Sequence, residues 1–224
     1  MGVPSQGQHI GHFRQENNTF CYSLFSRRRT AGSLAGERKT MALLTTDRLT
    51  VRDWSPEDAR DALAIYGTPE VTRWLSPAMN QLDGEGAMRA TLEAWERNRE
   101  TLTPPLGRWA IVRNSDQRII GGLSLRYLPP DEEDIEIGWQ LAPDFWGHGY
   151  ATEAGRALAG WAFSIGAHEL VAVVRVNNER GAGTARRIGM QWVGETDKYY
   201  ETRLNVYRLW PSDLTSAQED ELRL

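Results

Sequence analysis

The 224-residue chain carries 26 Lys and Arg against 30 Asp and Glu, a net charge of −4, with 40% apolar and 25% charged residues. That balance suits a chain with one core of ordinary size, and the charge is too mild to predict nucleic-acid binding. No apolar run approaches the roughly 18 residues of a membrane span. The single cysteine, Cys21, excludes an internal disulfide, so a reducing, cytoplasmic setting is the expectation.

The charge is uneven. Six cations against two acids give residues 1–40 a charge of +4, which leaves −8 on the remainder of a chain of net −4. Residues 1–40 are rich in Gly, Ser, Gln and Asn and show no sustained period, so a disordered N-terminal tail is expected there. His9, His12 and Cys21 match no zinc spacing, and no metal is expected. A single domain is expected over 41–214, followed by a polar tail over 215–224.

Leu49 to Asp53 alternates apolar and polar residues, as a strand does. Ser55 or Asp53 can cap a following helix, with Pro56 in its first turn, ending near Tyr66. Asp83 to Glu100 has apolar residues at helical spacing, and Pro104-Pro105 stops it. The period then changes. Trp109–Val112 and Ile119–Leu125 read as a hairpin, and Asp134–Leu141 as a further strand. A helix from Tyr150 to about Ile165 is followed by a β-branched strand, Leu170–Val176, and by a short helix closing at Gly189. Trp192-Val193 and Leu204–Leu209 supply the last strands. The order predicts an α+β or mixed α/β fold, a twisted mixed sheet of about six to seven strands with helices on both faces.

One stretch carries chemistry. From Gln140 the chain leaves a strand, passes Trp146-Gly147-His148-Gly149 and enters a helix at Tyr150-Ala151-Thr152. The two glycines permit positive φ and remove side chains that would block close approach. The helix start leaves N–H groups without acceptors beside the positive end of the helix dipole, a site for a phosphate or pyrophosphate. A P-loop would need Lys and then Ser or Thr after Gly149, where Tyr150-Ala151 stands. A dinucleotide fingerprint would need glycine where Thr152 stands.

The wider context, Glu136-Ile137-Gly138-Trp139-Gln140-Leu141, Pro143 and Phe145 through Ala154, resembles the acetyl-CoA-binding segment of the RimJ/RimL-like branch of the GNAT N-acetyltransferases. Asn178 and the closing Gly189-Met190 resemble the family's second motif, and Leu44 to Arg52 resembles its first strand. The resemblance runs over roughly residues 43–211. It implies that the strands Asp134–Leu141 and Leu170–Val176 are parallel neighbours that splay apart. Acetyl-CoA would lie in the gap as cosubstrate. Gln140 and Leu141 would hold the pantetheine arm, the amides from Trp146, Gly147, His148, Gly149, Tyr150, Ala151 and Thr152 the pyrophosphate, and Asn178 the far side.

The implied reaction passes an acetyl group directly to a primary amine, either a protein N-terminus or a small molecule. A neutral amine is needed, so a group must take a proton. Alternation places Asp134, Glu136, Gly138 and Gln140 on one face of their strand. Glu136 is the first candidate base; pairing with a neighbouring Arg is the alternative use of that carboxylate. Glu201 is the second candidate. The family's Ser falls here on Gly181, and a Tyr that some relatives use as the acid falls on Ala185. Tyr150, Thr184, Tyr199, Tyr200 or water remain as proton donors to the leaving thiolate. Arg180-Gly181-Ala182-Gly183 is a poor helix former, which predicts a mobile wall. Trp74, Trp95, Trp109, Trp139 and Trp146 are candidates for pocket walls or core. The −8 of the later residues favours a cationic acceptor. A CoA-binding sensor or partner module without catalysis fits the same loop. No nucleic-acid or membrane partner is expected, and the assembly is expected to be a monomer or homodimer.

Overall fold

In the computed structural model, residues 42–214 are described. The expectations for the tails at 1–40 and 215–224, and for His9, His12 and Cys21, lie outside them. An eight-stranded sheet runs β1 (Ala42–Thr45), β2 (Leu49–Asp53), β3 (Gly107–Arg113), β4 (Ile119–Tyr127), β5 (Ile135–Leu141), β6 (Leu170–Arg175), β8 (Leu204–Leu209) and β7 (Gln191–Thr196) in spatial order. All neighbouring pairs are antiparallel except β5 and β6. The mixed α/β expectation holds. The strand beyond the expected six to seven is β1, four residues without alternation at the sheet edge, held by antiparallel pairing to β2.

The helices are α1 (Ala59–Tyr66), α2 (Pro69–Thr72), α3 (Glu85–Arg99), α4 (Tyr150–Ser164) and α5 (Glu179–Ile188). Side-chain alternation assigns them to opposite faces. Ala110, Gly122 and Gln140 lie opposite one another across β3, β4 and β5. On that face Tyr66 of α1 donates a hydrogen bond to Gln140 at 3.3 Å and packs edge-on against Trp54 and Trp95. On the other face Trp109 meets Trp161 of α4, ring centroids 5.7 Å apart. The main core joins both layers, with Leu49, Ile111, Ile120, Leu123, Leu158 and Leu209 almost fully excluded from solvent.

Residues 179–188 form a helix despite Gly181 and Gly183. Asn178 caps it, its Oδ1 accepting from the Gly181 N–H at 3.0 Å, and Ala182, Ala185 and Ile188 bury its inner face. Burial of that face outweighs the low propensity of the two glycines. Ile188 packs so closely on α4 that a Cβ at Gly155 would come within 2.6 Å of its Cδ1.

Candidate active site

The two parallel strands touch at one register point, Glu136 opposite Val171. Beyond it they separate, and Gln140 and Leu141 pair only with β4. A cavity of about 780 Å³ opens between the diverging ends, lined by Ile137–Leu141 of β5 and Ala172–Arg175 of β6. That volume is in the range of small-molecule sites, which lie where the ends of parallel strands part.

One wall is the loop entering α4. Gly147 and Gly149 have φ of +82° and +79°, and Gly149 is the N-cap of α4. Residues with a Cβ adopt this conformation at a cost, which explains glycine at both positions. The first turn of α4 leaves the Tyr150, Ala151 and Thr152 amides without acceptors inside the helix, beside its positive end. Gly147, Gly149, Tyr150, Ala151 and Thr152 all line the cavity. The exposed His148 side chain does not, and its carbonyl accepts a hydrogen bond from Arg48 at 3.1 Å. Trp146 lines the same wall while its indole N–H donates to the Leu141 carbonyl at 2.9 Å, which fixes the strand end to the loop. Arg180 of α5 sits 4.2 Å over the Trp146 ring. Asn178 lines the cavity too, although its Oδ1 is engaged in capping α5. A Cβ at Gly181 would lie 2.8 Å from Asn178 Nδ2 and 2.9 Å from Val174 Cγ1, so this packing has no room for the family's Ser.

The other wall belongs to the face of α1 and α2. Glu136 is 6% exposed and lies directly opposite Arg126 across β4 and β5. Arg126 Nε donates to Glu136 Oε2 at 2.7 Å, and the Tyr200 hydroxyl to the same oxygen at 3.2 Å, so both contacts leave Oε1 free of them. Burial raises the Glu136 carboxyl above the ordinary carboxylate range, against the opposing pull of Arg126, Tyr200 and Arg108. Burial, and then the neighbouring Glu136 carboxylate, raise the Tyr200 hydroxyl, so Tyr200 stays protonated. Tyr200 and Glu201 have φ of +56° and +49°, a strained pair in the β7–β8 turn. That turn brings Tyr200 to the cavity and leaves Glu201 exposed and away from it.

Of the hydroxyls considered as proton donors, Tyr150, Thr184 and Tyr200 line the cavity. Tyr199 instead donates to Asp134 and is pushed up to about 12 by burial and by that carboxylate. Among the tryptophans, Trp74, Trp139 and Trp146 line the cavity, whereas Trp95 and Trp109 pack in the core. The residues that sequence reasoning passed over include Arg126, Arg175 and, apart from Trp74, the segment from α2 to Ala78, which closes this wall. Arg126 was findable from its register across the β4–β5 hairpin. The segment at 70–78 has no period to read. Among the described residues no group of three or more His, Cys, Asp or Glu is placed to hold a metal, and no helix is long and apolar enough to cross a membrane.

Residues 48–191 match the model of the acetyltransferase (GNAT) domain family. The uncharacterized N-acetyltransferase YoaA of Bacillus subtilis (strain 168) is 28% identical over 176 residues, 75% of this chain and 96% of that protein. Among solved structures, an acetyltransferase from Agrobacterium tumefaciens str. C58 superposes with a TM-score of 0.60 at 24% identity, covering 80% of this chain and 99% of the other. The RimL ribosomal L7/L12 α-N-protein acetyltransferase in complex with coenzyme A gives 0.62 at 16% identity, over 76% and 98%.

Proposed function

Because the chain belongs to the GNAT acetyltransferase family, we propose that it transfers an acetyl group from acetyl-CoA to a primary amine bound on the Glu136 side of the cavity. The observation that carries this reading is the splay. One cavity reaches from the free amides at the start of α4 to a buried carboxylate on the opposite face. A pyrophosphate fits the first end, since Gly147 and Gly149 leave open approach and the helix start supplies donors. The pantetheine arm would run along Gln140 and Leu141.

At the second end, Glu136 takes the proton of the incoming ammonium. Its raised proton affinity makes it a better acceptor near neutrality than an ordinary carboxylate. The neutral amine attacks the thioester carbonyl; the C–N bond forms, the C–S bond breaks, and the thiolate leaves with a proton. The hydroxyls of Tyr150, Thr184 and Tyr200 are those available in the cavity for that last step. Glu201 is too exposed for either role in this arrangement. The acceptor is a peptide N-terminus or a small amine.

The experiment is a thermal-shift comparison joined to thiol release. Acetyl-CoA and CoA raise Tm while NAD and ATP do not, and acetyl-CoA yields free thiol with at least one amine. A shift with NAD or ATP alone would assign the loop to another nucleotide class. A shift with acetyl-CoA but no turnover across peptides, polyamines and amino acids would favour a CoA-binding module without catalysis.

A further inference from the structure

We propose that the acceptor amine carries an anionic group, a carboxylate or a phosphate, and that Arg175 receives it. The inference rests on the acetyl-transfer reading above and adds the substrate class. Arg175 is the last residue of β6 and lines the cavity. Val171 pairs with Glu136, and alternation along β6 therefore puts Val171, Val173 and Arg175 on the Glu136 face. Val174 points the other way, toward Gly181 of α5. Arg175 is thus on the acceptor wall, across the splay from the candidate base, while Arg180 and Arg187 stand on the cofactor side with α5.

The charges on that wall do not cancel. Arg126 is neutralised by Glu136 at 2.7 Å. Arg175 has no carboxylate within ion-pair distance among the described residues, in contrast to Arg52, which is paired with Asp58, and Arg208, which is paired with Glu169. Arg175 Nη2 donates to the neutral carbonyl of Ser76, which anchors the guanidinium to the segment after α2, and the buried Nε has no protein acceptor. The other acids that line the cavity, Glu70 and Glu179, are exposed. A guanidinium that lines a cavity, is held in place by a neutral carbonyl and has no carboxylate partner among the described residues is matched to a carboxylate or phosphate, whose oxygens accept from its planar fork. This wall reverses the preference for cationic acceptors that the net charge of the chain favours. Arg126, Arg175, Arg180 and Arg187 line the cavity against Glu70, Glu136 and Glu179, so the local wall lacks the acidic excess of the chain.

The test uses the full chain with saturating acetyl-CoA and acceptors in pairs that differ only in the anion. The pairs are 4-aminobutyrate with 4-aminobutyramide, O-phosphoethanolamine with ethanolamine, and the peptide Ala-Asp with Ala-Asn, with spermidine as the cationic reference. The anionic member of at least one pair should have a kcat/KM about tenfold or more above its neutral partner, as one charge-assisted contact supplies. The pair that responds distinguishes carboxylate from phosphate. Arg175→Gln should erase the ratio, and Arg175→Lys should keep part of it, with acetyl-CoA affinity unchanged in both. Because Arg175 also holds Ser76, a merely structural loss would lower both members of a pair alike and leave the ratio intact; that result would overturn the inference. So would equal turnover of neutral and anionic acceptors, whereas silence of the whole panel on a protein that acetyl-CoA stabilises would overturn the acetyl-transfer reading and this inference with it. Failure of acetyl-CoA to bind would instead overturn the acetyl-transfer reading beneath it.

Discussion

The Arg48 guanidinium and the Glu153 carboxylate meet at 2.6 Å, tying the turn before β2 to the first turn of α4. Glu153 also accepts from the Thr46 hydroxyl and, at 3.2 Å, from the Arg48 backbone N–H, while Arg48 holds the His148 carbonyl and lies 4.8 Å over the Tyr150 ring. The Gly147–Gly149 turn is thereby set from outside the cavity. Arg48 is half exposed, so the pair alone contributes modestly. Its consequence is positional. Glu153→Gln should lower Tm by only a few degrees, about 1 kcal/mol of stability. Acetyl-CoA should bind about fivefold more weakly or worse, because the loop amides lose their fixed aim. Calorimetric titration checks this, and unchanged affinity would show that the loop holds its shape alone.

Glu136 and Glu201 are separated by their surroundings. Glu136→Gln keeps the shape and an acceptor for Arg126 but cannot take a proton. It should lower turnover by about a hundredfold, the scale of general-base assistance, with little change in acetyl-CoA affinity. Glu201→Gln should be near neutral, as the side chain is exposed and away from the cavity.

The pH profile follows from the same burial. The base must be ionised to act, and burial raises the Glu136 carboxyl. The acid limb of kcat/KM should therefore fall at a higher pH than an ordinary carboxylate gives, with activity lost as pH drops through that limb. In Glu136→Gln that limb should vanish, and the deficit should shrink at high pH as the amine sheds its proton unaided. An acid limb that survives in the variant would assign it to another group.

Gly121 and Gly122 make a stability prediction. A Cβ at Gly121 would lie 2.3 Å from the Gln140 carbonyl oxygen, and one at Gly122 would lie 2.3 Å from the Tyr66 hydroxyl. The first obstacle is backbone, the second the end of a side chain. Gly121→Ala should cost about 1–3 kcal/mol by overpacking, and should disturb β5 beside the cavity. Gly122→Ala should cost less. Chemical denaturation of the two variants gives the order.

The α/β order, the hairpin at β3–β4 and the helix start at Tyr150 were legible because each rests on local chemistry: alternation, turn residues, glycines before a helical period. Of the residues expected to hold the cofactor, Gln140, Leu141, Trp146, Gly147, Gly149, Tyr150, Ala151, Thr152 and Asn178 are brought to one cavity, and His148 is turned out to solvent. Of the acceptor wall only Glu136, Trp74 and Tyr200 were singled out, and Arg126 follows only once the β4–β5 register is known. Arg126 reaches Glu136 only through strand register, and Arg175 faces the cavity only because β5 and β6 part after a single pairing. Tyr200 arrives by two consecutive positive-φ residues. Such long-range placements leave no period in the sequence.

The cofactor loop offers the sharpest discrimination between backbone and side chain. Gly149 has a φ of +79° and stands at the N-cap of α4, where the candidate pyrophosphate donors begin. A ligand at about a hundred times its dissociation constant adds roughly 2.7 kcal/mol to the folded state. For a domain of this size acetyl-CoA should then raise Tm by roughly 5–10 °C. Gly149→Val should abolish that shift, since a β-branched residue resists positive φ and its side chain enters the space the anion needs. The variant should still fold: the nearest atom to a Cβ there is the end of Arg48, at 3.5 Å, which can move. His148→Ala should keep most of the shift, because the imidazole is exposed and that position offers only its backbone. Loss of the shift in His148→Ala, with retention in Gly149→Val, would place the anion on the imidazole rather than on the amides of the loop.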